Sequence, residues 1–329
     1  MNHERKALRM GVVVILLAAV WRFAAGERWA PVAEFFADPA KAAFLVYLGT
    51  GRVVHPRANA QADAQTDPPP TETHQPEMPK LQFTKEDAAL FSMYDYAGKA
   101  VDTEAMLLQS LQWELTGSQP TVLILHTHAT ESYTKTGQDY VESALYRTLD
   151  ADYNMVAIGA RLARQLEIQG ISVLHDTTLH DETSYNGSYN SSRKAVQAYL
   201  EQYPSLELVL DLHRDAALDA NGRQVAMTAT VDGETVAQLM LVVGSDAAGL
   251  SHPNWQENMA LAVKLQVTLQ KRWEGIARPL CFRAQRFNQD LMPGYLLIEV
   301  GTAGNTQSQA LAAADRLALA IAALAHGTE

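Results

Sequence analysis

The chain has 329 residues, of which 47% are hydrophobic, so it is long enough to bury one sizeable core. Its formal net charge of −11 argues against nucleic acid as a partner, and its single cysteine excludes both an intrachain disulfide and a cysteine-rich zinc site. Any metal in this protein must therefore be held by histidine and carboxylate side chains.

The first residues predict export or membrane attachment. Several basic side chains precede an apolar run from Met10 to Trp21. This order is typical of a signal peptide or a short anchor, although the run is shorter than the roughly 20 residues of an ideal spanning helix. We expect an uncleaved anchor over residues 1–25, with the rest of the chain outside the cytoplasm because the basic flank stays inside. A buried amphipathic helix is the alternative.

A change in composition separates this segment from the rest of the chain. Residues 26–54 contain a second, short apolar stretch next to the expected membrane surface. Residues 55–80 are rich in Pro, Ala, Gln, Thr and Asp and nearly free of large apolar side chains. Such a segment cannot bury enough apolar surface to offset its ordering entropy, which favours a flexible linker. We expect the folded domain to cover residues 81–329.

Strand and helix patterns then alternate along the chain. The segment "TVLILHTH" at 121–128 predicts a buried strand, and the apolar periodicity at 152–170 predicts an amphipathic helix with Gly170 at its C-cap. A second strand, "ISVLHD", comes next. It is followed by a helix at about 190–204 capped by Ser191 or Ser192, and then by a third strand, "LELVLDLHRD".

The second half of the chain continues this alternation. Two β patterns, at 225–231 and 236–243, flank Asp232–Gly233, which predicts a hairpin with a two-residue turn. Two helices and a late strand complete the pattern, at about 255–274, 306–325 and 295–301. The alternation predicts an α/β fold: a mostly parallel twisted sheet with helices on both faces and a β-hairpin insertion.

Polar side chains follow the predicted strands at the places where these strands end. His126, His128 and Glu131 follow the first strand, and His213 lies at the end of the third. Binding sites of parallel α/β sheets form at the carboxyl ends of the strands, so these side chains are expected to converge. Zinc in a hydrolase commonly has two histidine ligands and one carboxylate, with the fourth position left for water. We therefore expect His128, Glu131 and His213 to bind a metal.

An acidic side chain also lies inside the apolar late strand. Burying Glu299 in "LLIEVG" is costly unless the carboxyl group has a partner or a chemical role. A carboxylate beside a metal can take a proton from water and return it to a leaving group, which favours Glu299 as the catalytic residue. A structural alternative is a buried ion pair between Glu299 and Arg214.

Other candidates are open to two interpretations. The H-x-x-E spacing of His128 and Glu131 is a weak motif by itself, and a histidine at a strand end, such as His213, is often structural. His126 could be a metal ligand, could orient a ligand or could contact substrate. Arg193 could bind a substrate carboxylate or pair with a surface acid, and Arg214 could contact substrate or a ligand.

Four segments, in this order, resemble the stage II sporulation protein P family, which is related to zinc-dependent N-acetylmuramoyl-L-alanine amidases: "LILHTHATESY", "HDTTLHDETSYNGSYNSSR", "LVLDLHRDA" and "LLIEVGTAGNT". The resemblance covers roughly residues 85–325. It implies an amidase-like (phosphorylase/hydrolase-like) fold, Zn²⁺ as cofactor and peptidoglycan as substrate. It also implies a membrane-anchored cell-wall hydrolase of the sporulation septum.

The family's activity is implied in the same way. Its members cleave the amide between N-acetylmuramic acid and L-alanine, and peptide cross-links as well, to thin the septal wall during engulfment. Their partners are the stage II sporulation proteins D and M.

The resemblance also assigns roles to individual residues. It places a zinc histidine at His213, the first zinc histidine at His128 and the catalytic glutamate at Glu299. The remaining ligand is Glu131 or, further downstream, Glu142 or Asp150.

Two other functions are compatible with the sequence. One is a zinc carboxypeptidase that trims wall peptides, with Arg193 or Arg214 fixing the free carboxylate. The other is a metal-free scaffold that binds the cell wall.

Overall fold

The computed structural model describes residues 81–111, 113–134 and 146–327. The expected anchor, juxtamembrane segment and linker, residues 1–80, lie outside the described residues, so these assignments stay predictions. The same holds for the candidate ligand Glu142.

The described part of the chain contains nine strands and five α-helices. The strands are β1 Met93–Asp95, β2 Val122–Leu125, β3 Val173–His175, β4 Leu208–Asp215, β5 Thr228–Val231, β6 Glu234–Ala237, β7 Leu239–Val243, β8 Leu280–Phe282 and β9 Tyr295–Thr302. The helices are α1 Thr103–Leu108, α2 Met155–Ile168, α3 Ser188–Gln202, α4 Trp255–Arg272 and α5 Gln307–Gly327. Short 3₁₀ turns lie at Glu86–Leu90, Tyr185–Gly187 and Gln289–Leu291.

Seven of these strands form one sheet in the order β1-β8-β7-β9-β4-β2-β3. Neighbouring strands are parallel except for β7 and β9, which are antiparallel. The predicted mostly parallel sheet is therefore confirmed. The antiparallel pair, which the sequence did not predict, divides the sheet into a β9-β4-β2-β3 half and a β7-β8-β1 half that run in opposite directions.

Alternation along the strands divides the side chains between two faces of the sheet. Leu208, Leu210 and Leu212 of β4 join the large core, to which α2, α4 and α5 contribute. On the other face, Val209 belongs to a smaller cluster with Val196 of α3. Helices therefore lie on both faces, as predicted, and α3 packs on the half that contains β2 and β4.

The predicted hairpin is present, with one difference. Asp232 and Gly233 form a two-residue turn with φ values of 52° and 80°, between β5 and β6. The second β pattern, predicted as one run over 236–243, is wrong in its extent. The chain changes pairing partner at Gln238, so that β6 belongs to the hairpin and β7 to the main sheet.

The two helices before β4 begin differently. Helix α2 is capped by Asn154, whose side chain accepts from the Val156 amide at 2.9 Å. The predicted cap of the next helix at Ser191 or Ser192 is wrong, because α3 begins at Ser188. The Ser192 hydroxyl lies 2.8 Å from that of Thr127, so it ties the helix to the end of β2.

The last helix also has the properties of a membrane span. Among the described residues, α5 is long and apolar enough to cross a bilayer, yet 56% of its apolar window is buried inside the protein. It packs against α2 and α4, so the buried side chains of α5 are part of the core.

Candidate active site

Three potential metal ligands meet at the carboxyl ends of β2 and β4. His128 Nδ1 lies 3.4 Å from Glu131 Oε1, and His213 Nδ1 lies 3.6 Å from Glu131 Oε2. One ligand atom from each residue can be chosen so that all lie within 4.8 Å of one another. Ligand atoms about 2.1 Å from a tetrahedral zinc ion are about 3.4 Å apart. The residue types and their spacing therefore fit a zinc ion.

A tight turn after β2 brings the first two of these side chains together. The backbone amide of Glu131 donates to the His128 carbonyl oxygen at 3.1 Å, which closes the turn. Asp181 fixes the same turn, since its carboxylate accepts from the amide of Thr130 at 3.1 Å and from the hydroxyl at 2.6 Å. Glu131 is held on its other side by Arg214, whose backbone amide donates to Oε2 at 3.1 Å.

The third ligand is oriented by a buried carboxylate. Asp211 lies two residues before His213 on the same face of β4, and its Oδ1 is 3.1 Å from His213 Nε2. Asp211 is itself held by Thr127, whose amide donates at 2.7 Å and whose hydroxyl lies 2.6 Å away. This contact is an ion pair, since His213 Nε2 has no hydrogen-bond partner among the described residues, and it leaves Nδ1 directed at Glu131. A carboxylate behind a metal-binding histidine can orient its ring.

The charges of this cluster stabilise one another. Burial raises the pKa of Glu131, but His128, His213 and Arg214 outweigh this and hold that pKa well below its usual range. Burial lowers the pKa of His213, but Asp211 and Glu131 outweigh it and raise that pKa well above its usual value. The cluster therefore carries a buried carboxylate even before a cation is added, and an anionic ligand is what a divalent cation requires.

Glu299 lies next to this cluster on the neighbouring strand. It is the register partner of His213 on β4 and of Met240 on β7, and its side chain is half-buried. Its Oε2 has no hydrogen-bond partner among the residues that the structure describes. Burial raises the pKa of Glu299 to about 8, and the negative charges of Glu131 and Asp215 add to this effect. A carboxyl group with such a pKa exchanges protons near neutral pH.

Arg214, the partner that the structural alternative assigns to Glu299, contacts other groups. Arg214 directs its guanidinium to the backbone carbonyl oxygens of Ser132 and Tyr146, at 3.1 Å and 3.0 Å, and to Glu131 at 3.8 Å. Arg214 therefore supports the loop that carries Glu131, and its charge also lowers the pKa of Glu299 without outweighing the effect of burial.

Aromatic side chains border the cluster on the α3 side. Tyr185 stacks on His128 with ring centroids 4.3 Å apart. The guanidinium of Arg147 lies 4.1 Å from the Tyr185 ring and 3.5 Å from the Asp181 carboxylate. Tyr189 meets His128 edge to face at 5.6 Å. Tyr185 and Tyr189 form one wall of a cleft of about 500 Å³ that also contains His128, Glu131, His213 and Glu299.

His126 is not brought to the cluster. It is fully buried on the opposite face of the sheet, where Nε2 lies 2.9 Å from His175 Nε2 and Nδ1 lies 3.3 Å from the Leu212 carbonyl oxygen. Strand parity suggested that His126 and His128 share a face, but the chain turns after β2, and the alternation ends there. His126 is therefore neither a ligand of this cluster nor a substrate contact.

Two further candidates also lie elsewhere. Arg193 forms a bidentate pair with Asp290, at 2.9 Å and 2.7 Å, so it braces α3 rather than binding substrate. Asp150 is exposed, and its side chain accepts from the Asp152 amide in a surface turn, so the structure does not place it with the other ligands. Of the candidates for the remaining ligand, Glu131 is the described residue that lies between the two histidines.

The fold and the cluster together define this chain as an α/β protein with a candidate metal-binding active site. Residues 51–322 match the family model described as stage II sporulation protein P. The chain therefore belongs to the stage II sporulation protein P family. It is also 30% identical over 217 residues to the stage II sporulation protein P of Bacillus subtilis (strain 168), a match that covers 61% of this chain. The chain spans 51% of the length of that relative.

Several solved structures are similar at low identity. They include N-acetylmuramoyl-L-alanine amidase AmiC2 of Nostoc punctiforme, with a TM-score of 0.35, 17% identity, and coverage of 64% of this chain and 97% of that one. The CwlD amidase from Clostridioides difficile, in complex with the GerS lipoprotein, has a TM-score of 0.37 and 15% identity, with coverage of 63% and 95%. The apo form of Ami1 from Mycobacterium abscessus has a TM-score of 0.37 and 12% identity, with coverage of 63% and 97%.

Proposed function

We propose that this protein is a zinc-dependent peptidoglycan hydrolase that cleaves the amide between N-acetylmuramic acid and L-alanine. The observation that carries the proposal is the convergence of two imidazoles and a carboxylate beside Glu299, in an open cleft. Membership of the stage II sporulation protein P family supports peptidoglycan as the substrate.

Five residues have roles in the proposed metal centre. His128, Glu131 and His213 would hold the ion, while Asp211 and Arg214 orient His213 and Glu131. When bound, zinc polarises a carbonyl oxygen and lowers the pKa of water. The chain contributes a buried, pre-oriented ligand set, so little reorganisation is needed when the ion binds.

Glu299 would transfer the proton in this reaction. In its ionised form it takes a proton from the attacking water, and in its neutral form it gives that proton to the leaving amine of L-alanine. Its half-buried position beside His213, with Oε2 free of other described partners, suits both states.

The cellular setting is proposed on the sequence. We expect the N-terminal segment to anchor the protein, with the hydrolase domain outside the cytoplasm at the sporulation septum. There it would thin the wall during engulfment together with the stage II sporulation proteins D and M, and cut peptide cross-links as a second activity. A zinc carboxypeptidase that uses Arg193 or Arg214 to fix the free carboxylate is less well supported, because these arginines are already paired with Asp290 and Glu131.

The proposal is tested with the full-length protein and fluorescently labelled sacculi. We expect one zinc ion per chain by elemental analysis, dye release that stops with chelator, and soluble peptides that begin with L-alanine by mass spectrometry. Glu299→Gln should retain zinc and lose about 10²–10⁴-fold in turnover, the usual contribution of a general acid–base residue. Absence of zinc together with absence of dye release would contradict the proposal and leave a wall-binding scaffold.

A further inference from the structure

The cleft continues past Glu299 onto a part of the sheet that α3 does not cover. Its floor, which we name the shelf, is an apolar cluster of β7, β8 and β9 residues: Met240, Val242, Cys281 and Leu297. Phe287 packs against the shelf, and Tyr94 and Tyr96 line its far side with 55% and 63% of their surface exposed. Apolar and aromatic surface that is left open in this way marks a binding region.

Three arginines line this cleft, and two of them are paired with carboxylates. Arg214 contacts Glu131, and Arg278 lies 2.8 Å from Asp215. The guanidinium of Arg283 faces the Tyr96 ring at 5.5 Å and has no carboxylate partner in the part of the chain that the structure describes. Arg283 also interacts with the Cys281 thiol, which leaves it a half-buried cation that no described carboxylate neutralises.

We infer that Arg283 binds a free carboxylate of the peptide portion of the substrate, while the shelf contacts the peptide's apolar side chains. The inference rests on the proposed function, because it assigns the leaving peptide to one side of Glu299. Guanidinium and carboxylate groups form paired, charge-assisted hydrogen bonds, which also fix the orientation of the bound group. The carboxyl-rich peptides of peptidoglycan supply such a group, whereas its neutral glycan hydroxyls do not.

Strand register sets the length of peptide that would fit. Cys281 on β8, Val242 on β7 and Leu297 on β9 lie in one row across the sheet. Arg283 and Glu299 each lie two residues beyond this row, in opposite directions because β8 and β9 are antiparallel. Strand spacing of about 4.8 Å and a rise of about 3.3 Å per residue separate their backbones by roughly 16 Å. An extended peptide of about five residues spans this distance between backbones, and the length of the Arg283 side chain shortens the peptide that is needed.

The test compares two soluble substrates in the full-length enzyme. One is an N-acetylmuramoyl tetrapeptide with free carboxyl groups, and the other is the same compound with these groups amidated. We expect amidation to raise KM about 10-fold or more with little change in kcat, since the lost contact is made in the ground state as well. Arg283→Gln should process both substrates equally, and Arg283→Lys should recover part of the preference.

A matched control removes the same charge elsewhere. Arg164 is exposed on α2, on the opposite face of the sheet, so Arg164→Gln should keep the full preference for free carboxylates. If Arg283→Gln preferred the free acid as strongly as the unaltered protein does, the inference would be overturned. A thermal unfolding curve for each variant shows whether it has folded.

Failure of the inference is separable from failure of the hydrolase proposal. Binding of the released tetrapeptide can be measured by calorimetry without any turnover. If the peptide binds about 10-fold more weakly to Arg283→Gln while neither substrate is hydrolysed, the carboxylate site is supported and the proposed reaction is contradicted. If the substrates are hydrolysed but the peptide binds equally to the unaltered protein and to Arg283→Gln, the reaction is supported and the carboxylate site is contradicted.

Discussion

Two histidine pairs lie near the end of β2, on opposite faces of the sheet, and their surroundings differ. His128 and His213 face a cleft and share Glu131, with Asp211 behind His213. His126 and His175 contact each other in the interior, where burial lowers their pKa values to about 3 and about 4. The comparison teaches that carboxylates on the cleft face, rather than the histidines themselves, make one pair a candidate metal site.

The largest expected effect comes from replacing His213 of the cleft pair. Replacing His126 of the interior pair is the control. His213→Ala should lose zinc and at least about 10³-fold in turnover, because a proposed ligand of the metal is gone. His126→Gln should keep its zinc, since His126 lies on the other face of the sheet. Elemental analysis and dye release measure both, and a zinc-loaded His213→Ala protein would show that the ligand assignment is wrong.

A smaller effect is expected from the carboxylate behind His213. Asp211→Asn keeps the shape of the side chain but removes its charge, so it should weaken zinc binding by about 10–100-fold. Competition with a chelating dye gives the affinity. The control is Asp315→Asn, which removes a carboxylate of α5 that pairs with Arg161, away from both histidines, and should leave zinc affinity unchanged. Equal affinities for Asp211→Asn and the unaltered protein would remove Asp211 from its orienting role.

A methyl group can be added beside the interior pair without touching the cleft. A Cβ atom at Gly159 of α2 would lie 2.4 Å from His126 Nε2 and 2.5 Å from His175 Nε2. Gly159→Ala should therefore lower the free energy of unfolding by about 1–3 kcal/mol, as overpacking does, while zinc affinity stays the same. Urea unfolding measures the first quantity. A protein of unchanged stability would mean that the two rings have room to move.

The smallest effect, counted per pH unit, is a pH dependence of stability from His175. Its folded pKa of about 4 lies below the ordinary value, so the unfolded chain takes up a proton that the folded chain does not. Stability should fall as pH decreases from about 6.5 to about 4, by up to about 1.4 kcal/mol per pH unit. His175→Gln should flatten this part of the profile in urea unfolding, and an unchanged slope would contradict the assignment.

The sequence predicted the parts of the fold that have a clear period. The helices α2, α4 and α5 and the strands β2, β4 and β9 were found within a few residues of their observed bounds. The three-residue strands β1 and β8 are too short to show alternation, so the half of the sheet that holds the shelf was not foreseen. The antiparallel β7–β9 pair depends on contacts between distant segments, which a single sequence does not show.

The same limits apply to the candidate site. Period-two alternation correctly places Asp211 on the same face as His213, but the role of Asp211 was missed because it appeared as one acid among several near the strand end. Arg193 was ambiguous because its partner, Asp290, is 97 residues further along the chain. Arg283 was not singled out, since its place in the cleft depends on the unpredicted strand β8.

The antiparallel pair of β7 and β9 has a consequence for how the two parts of the cleft can change. The cluster His128, Glu131 and His213, with Glu299, comes from β2, β4 and β9, whereas Arg283 and most of the shelf come from β7 and β8. Because the antiparallel pair separates these two sets of strands, the residues proposed to recognise a peptide can be exchanged by mutation while the proposed reacting groups keep their geometry. Under the proposed function, selectivity for the peptide and the chemistry of cleavage are therefore carried by separate parts of one sheet.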